Sequence, residues 1–317
     1  MEKKYNMAKK KNKKNQNSTF VIILTIIGLI VFGYFYKDKI ADIIDTGTNA
    51  DVSGKFAVHY IDIGQGDSML LQTPDNEYML IDTGEYEYYD KLSSYLEHYN
   101  IKKFKYVIFT HPHSDHMGSA DKIVKNYEIE NLIMPDATNN TKTFERLVTE
   151  IENKNLDIIL PVPGDKYKFG ESEFIILAPI FEEYKNLNNY SIVIKLTYGK
   201  NKFLFTGDME KESENEVMDF CKKNNIDLLV DVLKVAHHGS STSSQQSFLN
   251  IVSPKYAVIM CGVDNSYNHP NLKTVEKVKS TGAEILRTDL EGDIIIVSDG
   301  SKLSIKKGRG ELEEQAG

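Results

Sequence analysis

The stretch "KYVIFTHPHSDHMGS", residues 105–119, decides how the rest of the chain is read. Residues 105–110 are an apolar, aromatic and β-branched run of strand type that stops at Thr110, and ligand-type side chains then follow at His111, His113, Asp115 and His116. On a loop leaving a strand end, residues two apart can turn the same way. His111 and His113 can therefore grip one ion while Asp115 and His116 reach a second alongside. Three further histidines fall in two places, His237 and His238 in "VAHHGS" and His269 in "NSYNHP", each just after an expected strand. His59, within a strand, and His98, within a helix, read as structural residues. Only Cys221 and Cys261 are present, so neither a disulfide framework nor a cysteine-based zinc site can be built, and any metal must use histidine and carboxylate.

Working outward, "KFAVHYIDI" (55–63) alternates like a strand, and "SMLLQT" and "YMLID" flank the turn "PDNE". Helices are expected over 87–100, 119–127 and 141–154, and strands at "NLIMP", "LDIIL", "YKF" and "EFIILAP". "YSIVIKLTYGKNKFLFTGD" reads as a hairpin and "MEKESENEVMDFCKKN" as a helix. A second half-sheet is expected from "LLVDVLKVA", "KYAVIMC", "AEILRT", "GDIIIVS" and "KLSIKK", with helices after "SSTSS" and over 271–280. Strand blocks alternating with helices, twice over, imply an α/β chain with two sheets face to face and helices outside. A hydrophobic fraction of 41% over 317 residues fills such a core.

The first half-hundred residues differ. Residues 1–19 carry seven lysines against Glu2, and "FVIILTIIGLIVFGYFY" (20–36) has no charge. Seventeen helical residues span roughly 25 Å, so the expectation is a transmembrane anchor with a basic cytoplasmic tail at 1–19, placing the rest on the outer side of the cell membrane as a single-pass protein. A cleaved signal peptide fits less well, because Tyr34, Phe35, Tyr36 and Lys37 follow where small residues would be needed. A linker is expected over 37–54, the folded domain over 55–307 and a flexible tail over 308–317. Residues 1–49 hold nine lysines and four acids, which leaves 29 basic and 42 acidic residues and a net charge of −13. An acidic domain is not built for tight nonspecific binding to nucleic acid, though a local basic groove is compatible with it.

The H-x-H-x-D-H pattern after a strand resembles the signature of the metallo-β-lactamase superfamily. The blocks "HYIDIGQGDSMLL" (59–71), "LIDTG" (80–84), "NNYSIVIKL" (188–196), "FLFTGDMEKE" (203–212), "DVLKVAHHGSS" (231–241) and "NSYNHP" (265–270) are similar to the extracytoplasmic hydrolase domain of the DNA-uptake competence protein ComEC. The resemblance implies a four-layer αββα sandwich with two divalent metal ions, zinc or manganese, at one edge. It implies His111, His113, Asp115, His116, Asp208 and one histidine of the "AHHGS" pair as ligands. Asp208 would lie between the ions and Asp82 would orient a ligand. Sequence does not separate His237 from His238; His237 is taken as the ligand and His238 as a neighbour of the substrate. His269 would protonate the leaving oxygen or steady its charge. Asp67 would support the same edge. Where superfamily members carry a third histidine for the first metal, this chain has Asn188, Asn189 and Ser191, so an oxygen-rich site suiting manganese is expected.

The function implied is a membrane-anchored hydrolase, a phosphodiesterase or nuclease acting on DNA through a hydroxide activated by two metals, with Asp115, His238 and His269 in catalytic roles. Single-stranded DNA is the first candidate substrate and a DNA-uptake channel a candidate partner. The alternatives are a phosphodiesterase acting on a cell-envelope group such as phosphocholine and a non-catalytic relic that binds the envelope.

Overall fold

The computed structural model describes residues 52–308. The chain opens with a meander of three antiparallel strands, β1 (Phe56–Tyr60), β2 (Met69–Gln72) and β3 (Tyr78–Ile81). Helix α1 (Tyr89–His98) and a short strand β4 (Lys103–Phe104) lead to β5 (Tyr106–Ile108), which pairs parallel with β3. Helices α2 (Ser114–Met117) and α3 (Ala120–Asn126) follow, then β6 (Glu128–Ile129) beside β4 and β7 (Leu132–Ile133) beside β5. Helix α4 (Lys142–Lys154) carries the chain to β8 (Ile158–Ile159), parallel to β7. Parallel neighbours need such crossovers, and the helices supply them.

The second sheet starts antiparallel, with β9 (Lys166–Phe169), β10 (Ser172–Ala178), β11 (Val193–Tyr198) and β12 (Asn201–Phe205). It becomes parallel through helices α5 (Lys211–Lys223), α6 (Gln246–Val252) and α7 (Leu272–Lys279), which connect β12 to β13 (Val232–Lys234), β14 (Tyr256–Ile259) and β15 (Glu284–Arg287). After a turn of helix, α8 (Thr288–Glu291), the last two strands, β16 (Ile294–Ser298) and β17 (Leu303–Lys307), leave this sheet. They pair onto the outer side of β1, giving the order β17-β16-β1-β2-β3-β5-β7-β8. The expectation that "GDIIIVS" and "KLSIKK" belong to the second half-sheet is therefore corrected. Both sheets offer an apolar edge to such strands, and alternation alone does not choose between them.

The period of two sorts side chains between layers. Met69 and Leu71, Met79 and Ile81, and Tyr106 and Ile108 point into the core between the sheets, where they meet Phe174, Ile194, Phe203, Val232 and Val258 of the second sheet. The intervening Leu70, Leu80 and Val107 face the other way, onto Leu92, Leu96, Ile123 and Leu147 of the helices. Leu204, Leu233, Ala257 and Ile259 do the same beneath Val217, Phe248, Leu249 and Val278. The result is the four-layer αββα sandwich expected from the resemblance.

The expected localisation, a single-pass protein of the cell membrane with an outward catalytic domain, is corrected. Among the described residues no helix is long and apolar enough to cross a membrane. The longest, α4 and α5, have 13 residues and bury only one stripe against the sheets. The stretch at 20–36 on which that expectation rested lies outside the described residues, as do the basic tail and most of the tail beyond Lys307.

Candidate metal centre

Both sheets deliver the carboxyl ends of strands to one crevice, the usual place for a site in parallel sheets. From the first sheet come Asp82, just beyond β3, and Thr110 to His116, beyond β5. From the second come Gly207 and Asp208, beyond β12, and His237 and His238, beyond β13. The turn entering α2 donates His116 N–H and Met117 N–H to the His113 carbonyl, so Asp115 and His116 swing back over the strand end.

Asp115, His116, Asp208 and His238 each place a ligand atom within 4.8 Å of the others'. Nε2 of His116 is 3.3 Å from Oδ2 of Asp208, and Nε2 of His238 is 3.2 Å from Oδ2 of Asp115 and 3.4 Å from Oδ2 of Asp208. His111 and His113 form a second group, with Nε2 of one 3.0 Å from Nδ1 of the other. The two groups adjoin, the rings of His111 and His116 having centroids 4.1 Å apart.

The residues fit cations. His116 Nε2, Asp208 Oδ1 and Asn188 Oδ1 are buried and lack hydrogen-bond partners, and buried polar atoms are seldom left so. The field points the same way. Burial alone would push the His116 imidazole down, yet Asp208, Asp82 and Asp115 hold it well above its ordinary value. Burial and the neighbouring His116 push His111 well below, leaving a neutral ring with a lone pair to give.

Partners behind the site fix which ring nitrogen faces it. Asp82, left-handed at φ 59, accepts from Thr110 N–H at 2.8 Å and the Thr110 hydroxyl at 2.7 Å, and its Oδ2 lies 2.7 Å from His116 Nδ1. His116 Nδ1–H therefore donates backward and Nε2 faces the cluster. His238 repeats the device, with Nδ1 2.9 Å from the Met260 carbonyl.

The expected roles of the histidine pair are reversed in placement. His238 is buried within the cluster; His237 stands at the rim, with Nδ1 3.4 Å from Glu210 and Nε2 3.7 Å from Asp208. Both are left-handed, at φ 51, and Gly239 continues at φ 82. A side chain at Gly239 would meet Pro270 at 2.6 Å. Two non-glycine residues in this region cost on the order of 1–2 kcal/mol each, strain of the kind kept at functional sites.

The three polar residues replacing the superfamily's third histidine separate clearly. Ser191 Oγ accepts Asp208 N–H at 2.9 Å and lies 3.3 Å from His111 Nδ1, so it positions both. Asn189 is engaged with Glu210 N–H and Glu212. Of the three, Asn188 alone lines the cleft; its Nδ2 donates to Glu210 at 3.2 Å and its Oδ1 is buried without a hydrogen-bond partner.

Below the cluster Asp67, expected to support this edge, pairs with Lys234, which the sequence reading missed. Lys234 and Asp67 are both fully buried and in contact, and the Lys234 ammonium is 3.8 Å from Asp208 Oδ1. Burial would push this ammonium down, but Asp67 and Asp208 hold it above its ordinary value. The signal was available, since a lysine inside a central parallel strand covered on both faces has nowhere solvated to go. Asp67 also ties the loops, donating its N–H to the Asp115 carbonyl at 3.1 Å. Gly66 before it is needed for that approach, for a Cβ there would lie 2.3 Å from the same oxygen. A cleft of 330 Å³ opens above the cluster, bordered by His113, Asn188, His237 and, beyond them, His269 and Tyr267. Burial and the nearby His238 and His237 push the His269 imidazole down to about 4.

The family model for the metallo-β-lactamase superfamily matches residues 61–263. The ComE operon protein 3 of Bacillus subtilis is 31% identical over 260 residues, covering 77% of this chain and 33% of that protein. The competence protein ComA of Neisseria gonorrhoeae is 29% identical, covering 74% and 31%. The chain thus spans about a third of the length of these curated relatives. Among solved structures, the metallo-β-lactamase fold protein YhfI of Bacillus subtilis superposes with a TM-score of 0.53 at 14% identity, over 77% of this chain and 100% of that one. The diiron β-hydroxylase CmlA of Streptomyces venezuelae superposes with a TM-score of 0.52 at 13% identity, over 77% and 54%. Fold, ligand cluster and matched blocks agree: this chain belongs to the metallo-β-lactamase superfamily of metal-dependent hydrolases and is ComEC-like within it.

Proposed function

We propose that the chain hydrolyses phosphodiester bonds of nucleic acid, with single-stranded DNA as first substrate. The observation that carries this is the meeting of two ligand groups, His111 with His113 and Asp115 with His116, Asp208 and His238, joined where the His111 and His116 rings have centroids 4.1 Å apart. In this reading His111, His113 and Asn188 would hold one divalent ion and Asp115, His116 and His238 the other, with Asp208 available to both. An amide oxygen in place of an imidazole suits manganese better than zinc. Two such ions supply Lewis acidity, an activated water and neutralisation of charge on both oxygens of an in-line displacement.

The protein's own groups do the rest. Asp82 and the Met260 carbonyl keep His116 and His238 in the tautomers that face the ions, and Lys234 offsets part of the carboxylate charge beneath them. His269, neutral at pH 7 with a pKa of about 4, offers a hydrogen bond to a phosphoryl or leaving oxygen rather than a proton. His237 at the rim meets the substrate. DNA is favoured because the relatives carry the names of competence and recombination proteins.

The test uses the purified chain with manganese or zinc on end-labelled single-stranded DNA and on bis(4-nitrophenyl) phosphate, beside Asp115→Ala/His116→Ala. The parent is expected to cut both when metal is added, and the double variant neither. Added metal is also expected to raise the parent's Tm and leave that of the folded double variant unmoved. A parent that binds metal and leaves both substrates intact overturns the reading.

A further inference from the structure

The cleft has two rims that the hydrolytic chemistry does not use. On one, Tyr267 is 65% exposed and its ring lies at 22° to that of His269, with centroids 5.7 Å apart. An exposed tyrosine on a loop is ordinarily unremarked surface. This loop, however, is stapled from within. Asn265 Nδ2–H donates to the carbonyls of Gly262 at 2.9 Å and His269 at 2.6 Å, and its Oδ1 accepts His269 N–H at 2.9 Å. The tyrosine ring is thereby held at the mouth of the cleft, one face on His269, in an orientation it does not have to find on binding.

On the other rim Glu85 lines the cleft and Tyr86, 46% exposed, is the next residue along the chain, just outside the lining. The Lys122 ammonium lies 4.5 Å from its ring centroid and the Arg146 guanidinium, which also pairs through Nε with Asp121 at 3.1 Å, lies 4.8 Å from it. Two cations beside an aromatic ring stand out in residues 50–317, which carry a net charge of −13. Positive charge that tracks a backbone, together with rings on which bases stack, is how single strands are held without regard to sequence.

We propose that these rims form a binding track for a single-stranded polynucleotide. Tyr267, seated on His269, stacks a nucleobase on one side of the metal cleft, and Lys122 and Arg146 take backbone phosphates on the other. The inference rests on the phosphodiesterase reading of the cleft and adds the polymer and its points of contact. The Asp115 and Asp208 carboxylates repel a phosphate until metal offsets them, so the affinity for the polymer has to come from outside the centre.

The test measures binding by fluorescence anisotropy with the full chain in EDTA, where hydrolysis is off. The probes are a labelled oligothymidylate of about a dozen nucleotides and an abasic oligomer of the same length. Tyr267→Ala is expected to weaken oligothymidylate binding about five- to 150-fold and abasic binding less than about twofold, while Tyr267→Phe restores the former. Lys122→Gln/Arg146→Gln is expected to weaken both probes alike and to lower the slope of log affinity against log salt by about 1.4. Equal loss on both probes for Tyr267→Ala, no loss on either, or an unchanged salt slope overturns the track. Hydrolysis of bis(4-nitrophenyl) phosphate with manganese keeps the two readings apart. If the parent hydrolyses it and stacking is absent, the track alone falls. If the parent hydrolyses no diester yet grips oligothymidylate through Tyr267, the hydrolytic reading falls and the track stands.

Discussion

Replacing Lys234 by methionine keeps the volume of the side chain and removes its charge. Both members of the Lys234–Asp67 pair are fully buried. Without the lysine, Asp67 retains only two imidazole nitrogens that are engaged elsewhere, His238 Nδ1 at 3.3 Å, held by the Met260 carbonyl, and His116 Nδ1 at 3.9 Å, held by Asp82. Leaving one charge of a buried pair uncompensated costs about 3–5 kcal/mol, whereas removing both members is close to neutral. Lys234→Met is therefore expected to lose about 3–5 kcal/mol, and Lys234→Met/Asp67→Asn to recover at least about 2 kcal/mol of it. The assay is urea unfolding followed by far-UV circular dichroism in EDTA, so that metal binding does not mask the loss. With an m-value of about 3 kcal/mol/M, the single variant's midpoint falls by about 1 M or more. A double variant as unstable as the single one, or a single variant within about 1 kcal/mol of the parent, refutes the reasoning.

Two further outcomes are expected. Burial lowers the His59 pKa to about 3, below its ordinary value of 6.5, so in acid the unfolded chain takes up a proton that the folded one refuses. Stability from this residue is complete above about pH 6.5 and falls by about 1.4 kcal/mol per unit as pH drops towards 3; His59→Phe should remove that slope from chemical-denaturation curves, and an unchanged slope would show that His59 is not its source. Gly66→Ala puts a Cβ 2.3 Å from the Asp115 carbonyl at a φ of 141. A loss of about 1–3 kcal/mol is expected, together with less bound metal per chain by elemental analysis; a variant that binds metal like the parent would show that the loop does not set Asp115.

Much of the site was legible because its ligands sit at strand ends, where local sequence fixes both the element and the exit. The H-x-H-x-D-H run needed only the rule that a strand stops and a loop begins, whereas Asp208, in a stretch that reads locally as a turn, was singled out by the family resemblance. His237 and His238 were not separable, because they lie on consecutive left-handed residues, for which neither the helical nor the strand period says which side chain turns inward. Asn188, Asn189 and Ser191 are chemically similar in sequence and differ only in what surrounds them. The fold was legible in its layers and not in its wiring. β16 is the same unbroken apolar run whichever sheet it joins, and its choice of β1 depends on partners more than 200 residues away.

That wiring sets the order in which the protein can be made. β1 emerges from the ribosome at the start of the domain with β2 close behind, but the strand that covers its other flank begins at Ile294. At translation rates of about 5–20 residues per second, that flank waits roughly 10–45 seconds with its backbone donors and acceptors open to any passing strand. His111, His113 and His116 of the first sheet are made within this interval, and Asp208 and His238 follow them before β16 is reached. The first sheet is thus sealed only by the last two strands of the domain, and a protease that trims them reopens the flank of its first strand.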